Sequence, residues 1–245
     1  MDRLIYTAIS GANAALNRQS VLASNLANAS TPGFRAELST YRAVPVRGEG
    51  SPTRVYALEA TAGHLDTPGS AQRTSRNLDV MAQGNAWFAL QGLDGTEAYT
   101  RADSFNISAD GTLTSSQGLP MLDDGGAPVS VPAGSEINFG ADGVISVSQA
   151  GRPPAVAGKL KMVTPTLEQP LQRSADGLFR SRDGEPLPVD PTAKLASGVL
   201  ENSNVNPVEA MVGMINAARQ FEAQMRLIQT AEANDKSATQ LLGIQ

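Results

Sequence analysis

Residues 206–228 read Asn-Pro-Val-Glu-Ala-Met-Val-Gly-Met-Ile-Asn-Ala-Ala-Arg-Gln-Phe-Glu-Ala-Gln-Met-Arg-Leu-Ile, and the start of a helix is written into them. Asn206 serves as N-cap, Pro207 suits the first helical position, and Glu209 sits where an acid favours the positive helix end. Beyond this cap Met211, Met214, Ala218, Phe221, Met225 and Ile228 recur at spacings of three and four, an apolar stripe that needs a partner to cover it. Phe221, Met225 and Ile228 are its expected anchors. The pairs Glu222 with Arg226 and Glu232 with Lys236 add only ~0.5 kcal/mol each. After Ile228 the phase passes to Ala231, Asp235, Ala238 and Leu242, which suggests a change of partner.

The opposite end of the chain repeats the pattern. Ile5, Ile9, Ala12, Leu16, Ala23 and Leu26 are spaced by three and four, with Gln19 as the polar break. This helix begins near Asp2 and stops between Asn28 and Thr31, because Pro32 pushes Thr31 out of the α region and Gly33 permits a turn. Gly11 weakens it by ~1 kcal/mol, so it is expected to order only when packed. Two such stripes fit either ordinary helices closing over one core or an assembly seam. Charge favours assembly: between Leu4 and Phe34 the only charged side chain is Arg18, and Asn13, Asn17, Asn25 and Asn28 occupy the face opposite the seam. Neutral amides suit contact with other protein, because they hydrogen-bond without the desolvation cost of a buried charge.

Between the helices the chain changes character. Six Asp-Gly pairs, beginning at Asp94, Asp110, Asp124, Asp142, Asp176 and Asp183, mark tight turns. Short apolar or alternating runs lie among them: Leu78 to Ala82, Ala86 to Leu90, Val129 to Val131, Ile137 to Phe139, Val144 to Val147 and Leu160 to Val163. The expectation is an antiparallel β-domain over 77–200. Residues 35–76 carry Pro45, Gly48, Gly50, Pro52, Gly63, Pro68 and Gly69 and read as an extended connector, ordered on assembly through Val44, Val46, Val55, Tyr56 and Leu58. The fold class is therefore α+β: terminal helices (1–34 and 201–245) pairing as a coiled coil, a connector, and an all-β middle.

Composition narrows the function. The 245 residues are 41% hydrophobic but only 4% aromatic, enough for one or two modest domains. A net charge of -5 with 19 scattered basic residues argues against nucleic acid. No run approaches the ~18 apolar residues of a membrane span, and Thr7, Ser10, Gly11 and Asn13 interrupt any signal-peptide core. Without cysteine there are no disulfides, thiolates or cysteine metal sites.

Enzymatic patterns are missing as well. His64 is the sole histidine, with no second for a metal or relay. No Asp-Gly pair has calcium-loop spacing, including Asp123-Asp124-Gly125, and Gly48-Glu49-Gly50 lacks the third glycine of a dinucleotide loop. No serine elbow, Walker loop or zinc-protease segment occurs. A β-rich glycan-binding or glycan-cleaving protein stays open as the rival, since paired carboxylates depend on the fold.

Four segments, in order, carry a resemblance: Ala23-Ser-Asn-Leu-Ala-Asn-Ala-Ser-Thr-Pro-Gly-Phe-Arg35; Leu78-Asp79-Val80 with Gln83-Gly84-Asn85-Ala86-Trp87-Phe88; Tyr99-Thr100-Arg101; and Gly198 through Met211. Together they resemble flagellar rod and hook proteins over nearly the whole chain. The opening Met1 to Tyr6, the segment Arg42-Ala43-Val44-Pro45-Val46 and the length look most like the proximal rod type, with the distal rod type the nearest competitor. Pro207-Val208 and Ala86-Trp87 depart from the general pattern.

The resemblance implies a structural subunit of the bacterial basal-body rod that needs no cofactor. It implies export unfolded through the flagellar type III apparatus without a cleaved signal, and a place in the drive shaft crossing the periplasm. Implied partners are other proximal and distal rod subunits, copies of itself and, during secretion, the export apparatus. The helices would form an inner coiled-coil layer with the β-domain outside. Ile5, Ile9, Leu16, Leu26, Met211, Met214, Phe221, Met225 and Ile228 would supply the assembly interface, and Asn25, Asn28, Gly33 and Phe34 would fix the junction with the connector.

Overall fold

The structure, a computed structural model, describes residues 2–45, 55–132, 134–149, 153–174 and 176–242. Val46, Gly48, Glu49, Gly50 and Pro52, and the side chain of Leu242, lie outside the described residues. The chain opens with α1 (Asp2–Ala27), followed by β1 (Glu37–Pro45), β2 (Val55–His64), β3 (Ala71–Arg73), β4 (Asp79–Ala82), β5 (Trp87–Gln91) and β6 (Glu97–Thr100). Then come β7 (Ala102–Ser104), β8 (Asn106–Ile107), β9 (Leu113–Thr114), β10 (Glu136–Phe139), β11 (Val144–Ser148) and β12 (Ala155–Lys159). The last elements are β13 (Met162–Val163), β14 (Leu171–Arg173), β15 (Phe179–Ser181), β16 (Leu195–Ser197), β17 (Val199–Glu201) and α2 (Pro207–Leu242). These form two compact units, a helical one from residues 1–29, 36–65 and 205–245 and a β-rich one from residues 30–35 and 66–204.

In the helical unit α1 and α2 pair along their lengths. Gly11 lies against the Gln224 carboxamide and Gly213 against Leu22, so the two helices run antiparallel. The residues each helix buries or half-buries recur at three and four: Ile5, Ala8, Ala12, Ala15, Gln19, Leu22 and Leu26 on α1, and Ala210, Met214, Ala217, Phe221, Gln224, Ile228 and Ala231 on α2. Alanine fills three seam positions on each helix, Ala8, Ala12 and Ala15 on α1 and Ala210, Ala217 and Ala231 on α2, and such small side chains favour close packing. Gln19, read as a break, is itself a seam residue. Ala231 continues the α2 row, so the expected change of phase after Ile228 does not occur there, and Asp235 is exposed. Because α2 is longer than α1 (36 against 26 residues), its last turns run on past the start of α1.

Residues 37–64 depart from the expected connector. β1 and β2 form an antiparallel ribbon from Glu37 opposite His64 to Pro45 opposite Val55, with a bulge between Thr40 and Tyr41. The half-buried face of β1 is Glu37, Ser39, Tyr41 and Val44, three of them polar, so no apolar alternation announced a strand. Both strands pack on α1, where the Ser10 hydroxyl donates to the Ala57 carbonyl at 3.1 Å.

The β-rich unit is built from antiparallel pairs throughout. Its largest sheet has the order β13-β5-β6-β15-β14, beside three-stranded sheets β16-β4-β7 and β10-β11-β12 and the short pairs β17-β3 and β8-β9. β5 is buried on both faces, which explains its continuous apolar run. Phe88 and Leu90 enter a core with Val80, Phe105, Met121 and Ile145, while Trp87 and Ala89 enter a second cluster with Tyr99, Val163 and Phe179. Trp87 and Phe179 are in contact, ring centroids 4.7 Å apart.

The Asp-Gly pairs make turns as expected. Gly95, Gly111, Gly143, Gly177 and Gly184 all take positive φ; in the Asp124 turn it is Gly126. At the β10–β11 hairpin the Gly140 N–H donates to the Val144 carbonyl at 2.8 Å and the Val144 N–H to the Asp142 carboxylate at 3.3 Å. The run Val129 to Val131 does not extend into a strand; Ser130 within it makes a single bridge to Thr112, and Pro128 just before it bridges Leu122.

Candidate assembly surface

The thirteen residues expected at the assembly interface and its junction fall into three settings. Ile5 and Leu26 of α1 and Met214, Phe221 and Ile228 of α2 line the seam between the two helices of the same chain. Ile9 and Leu16, and Met211 and Met225, belong to the neighbouring row and stay exposed. The expected stripe thus mixes seam residues with four from the next row, because alanine has weak hydropathy: Ala8, Ala15, Ala217 and Ala231 give a smaller signal than a large side chain yet are buried.

Asn25, Asn28, Gly33 and Phe34 are the third setting. Asn25 is buried and bonds Glu37 in both directions: its amide donates to the Glu37 carbonyl at 3.0 Å and its oxygen accepts the Glu37 N–H at 2.8 Å. This fixes the end of α1 to the first residue of the ribbon. The Asn28 amide donates to the Ser24 carbonyl at 2.9 Å, closing the last turn. These two residues belong to the helical unit, whereas Gly33 and Phe34 belong to the β-rich unit. Gly33 has φ +70 and donates its N–H to the Glu201 carbonyl at 2.7 Å. Phe34 is buried with the Arg173 guanidinium 4.3 Å above its ring, a cation–π contact.

The helix start read from residues 206–209 is present in full. The Asn206 side-chain oxygen accepts the N–H groups of Val208 at 3.1 Å and Glu209 at 3.3 Å, and its carbonyl accepts from Ala210 at 3.0 Å. Directly after this cap lies the most exposed apolar feature of α2: Val208 (68%), Met211 (50%), Val212 (52%) and Ile215 (54%). Their i, i+3, i+4, i+7 spacing places them on one stripe, roughly 150° around the helix from the seam at ~100° per residue. The expected interface included only Met211 of these four. Val208, Val212 and Ile215 share the helical period of the seam row, which hides them in the sequence.

On α1 the exposed face carries Tyr6, Ile9 and Leu16 with Asn13, Asn17 and Arg18. The ribbon adds exposed Leu38, Val55 and Leu58. The helical unit thus satisfies one stripe internally and leaves others uncovered.

No comparable chemistry gathers elsewhere. Among the described residues there is no group of three or more His, Asp or Glu side chains that could hold a metal ion. His64 lies in β2 opposite Glu37. Perturbed acids have local causes: the Thr96 hydroxyl holds Asp94 below the usual carboxylate range, and Thr164, donating at 2.6 Å, does the same for Asp190. Burial pushes the Asp103 carboxyl up, and burial pushes the Tyr99 phenol up although it accepts the Leu187 N–H at 2.7 Å. No described helix is long and apolar enough to cross a membrane.

Comparison with known proteins agrees in register with these elements. Family models match three segments: residues 5–35 match "Flagella basal body rod protein", residues 81–147 match the "Flagellar hook protein FlgE/F/G D1 domain", and residues 196–241 match "Flagellar basal body rod FlgEFG protein C-terminal". The chain is 48% identical to the flagellar basal-body rod protein FlgF of Salmonella typhimurium and 47% identical to that of Escherichia coli, each alignment covering 100% of both chains. It is 28% identical to the flagellar basal-body rod protein FlgG of Bacillus subtilis, over 95% of this chain and 96% of that one.

Proposed function

The chain belongs to the flagellar basal-body rod family, and on that premise we propose that this rod subunit polymerises through the uncovered faces of its helical unit. Its relatives are structural rod proteins and not enzymes, which removes the glycan-cleaving rival. The resemblance to FlgF runs the full length of the chain, supporting a place in the proximal rod.

One observation carries the assembly reading: α1 and α2 cover each other along an alanine-rich seam, yet Val208, Met211, Val212 and Ile215 remain exposed as a second stripe. Exposed apolar stripes of this kind mark contact with other protein. The inner row holds the subunit together and the outer row meets neighbours, other rod subunits and copies of the same chain. Packing of such stripes resists sliding, as torque transmission through the periplasm requires. A helical unit whose two halves lie at opposite ends of the chain also suits export as an unfolded polypeptide through the flagellar apparatus, followed by folding at the site of assembly.

Phe34 is a poor probe of assembly, since it is buried within the β-rich unit. The exposed stripe is better. Met211→Asp combined with Ile215→Asp should leave the helical content and thermal midpoint of the purified chain close to wild type while abolishing incorporation into basal bodies and swimming. Normal incorporation of the double variant would overturn the proposal.

A further inference from the structure

Glu201, at the end of β17, has no exposed surface and is the meeting point of two buried arginines. Arg35 donates to one carboxylate oxygen at 2.6 Å and Arg101 to the other at 3.1 Å, with both arginines at most 2% exposed. The Gly69 N–H adds a third donor at 2.9 Å. Further guanidinium N–H groups donate to carbonyls, Arg35 Nη1 to Thr67 at 2.7 Å and Arg101 to Ala82 at 3.2 Å, Gly84 at 2.7 Å and Ala86, while the buried Arg35 Nε has no partner. Three of the four sequence segments that carry the family resemblance thus supply the carboxylate or a guanidinium paired with it, and the fourth reaches it only through the Gly84 and Ala86 carbonyls on Arg101.

The segments held here have a common property. Residues 30–35, 66–70 and 201–204 contain every point at which the chain enters or leaves the β-rich unit. Backbone bonds tie them to one another around the carboxylate: Gly33 N–H to the Glu201 carbonyl at 2.7 Å, Asn202 N–H to the Ser70 carbonyl at 2.9 Å, and Asn204 N–H to the Phe34 carbonyl at 3.3 Å. The Asn204 side chain donates to the Thr67 carbonyl at 2.8 Å. The fit at Gly69 is tight, since a Cβ there would fall 1.8 Å from the Asn202 carbonyl oxygen.

Three charges buried together stand only while all are paired; removing one leaves the others desolvated without compensation. Glu201 is separated from Arg101 by 100 residues and from Gly69 by 132, so no short piece of chain can assemble the node. We infer that Glu201 is a latch, a positioning residue that locks the three connecting segments of the β-rich unit into one clamp and that closes only when residues from both ends of the chain have arrived. Leu113, Met121 and Val129, buried in the core of the unit and bonded to one another through their backbones, take no part in it. Pull or twist entering along any one connection is then shared by all three; this mechanical consequence, unlike the latch itself, rests on the rod reading.

Amide hydrogen exchange on the full-length chain in dilute solution tests the latch without requiring assembly. In Glu201→Gln the Gly33, Gly69, Asn202 and Asn204 amides should lose protection by about a hundredfold or more, while the mutually bonded amides of Leu113, Met121 and Val129 keep theirs. Trypsin should then cut after Arg35, which is shielded in the wild type. Arg35→Gln, which keeps the Arg101–Glu201 pair, should release the same four amides. Wild-type protection of those amides in Glu201→Gln would overturn the inference. So would loss of core protection in step with them in both variants, which would make the node part of the general core.

Discussion

Asp190 shows how one side chain organises a turn. Its carboxylate accepts from the Thr164 hydroxyl at 2.6 Å, the Thr192 hydroxyl at 2.6 Å and the Thr192 N–H at 2.9 Å, while its own N–H donates to the Met162 carbonyl at 2.8 Å. Hydrogen bonds to the ionised form, Thr164 first, hold it below its ordinary value of 3.8. A depressed carboxylate contributes stability that is full above the unfolded value and lost as pH falls through the folded one. Asp190→Asn should therefore lower the urea midpoint at pH 7, and the gap to wild type should close by pH 2 to 3. An equal gap at both pH values would assign the loss to geometry alone. Asp103 has the opposite sign: burial raises it, so its charged form opposes folding as pH rises above the ordinary carboxylate range.

At the scale of elements the helix pair separates two roles that share a periodicity. Ala217 is fully buried in the seam, whereas Met225 is 38% exposed on the adjacent row. Ala217→Leu inserts three carbons at a fully buried seam position and should destabilise the purified chain by about 1–3 kcal/mol. Met225→Leu, similar in volume, should leave it within ~0.5 kcal/mol of wild type. Thermal or urea unfolding followed by helical signal checks both. If the two variants behaved alike, the row assignment would be wrong. The ribbon belongs to the same level, since Asn25 couples the end of α1 to Glu37 and makes helix and strand one cooperative element.

For the whole molecule the useful division is into the two units. An all-β domain over 77–200 omits β3, which pairs with β17 from Ala71 opposite Glu201 to Arg73 opposite Val199. It also omits Gly33 to Arg35, whose partners all lie in the β-rich unit. Limited proteolysis of the isolated chain should consequently yield a resistant β-rich species bounded near residues 66 and 204, with the 30–35 peptide retained through its noncovalent contacts. Mass spectrometry under native and denaturing conditions reads both boundaries. A product starting at residue 77 with no retained peptide would contradict this organisation.

Local chemistry was enough to reveal much of this protein. The Asn206-Pro207-Glu209 start of α2, the end of α1 before Pro32, the Asp-Gly turns and the doubly buried β5 each rest on a few neighbouring residues, and each is present. The segments of family resemblance likewise pointed to the rod through local sequence alone. Tertiary structure decided what neighbours in sequence cannot. Two rows three or four residues apart satisfy the same helical period, and only the partner helix selects Ala8, Ala15 and Ala217 over Ile9, Leu16 and Met225 for the seam. A polar strand face hid the ribbon until α1 supplied the surface that covers it. Glu201 looked like an ordinary acid because the charges that give it a role come from Arg35 and Arg101, brought to it by the fold across the length of the chain.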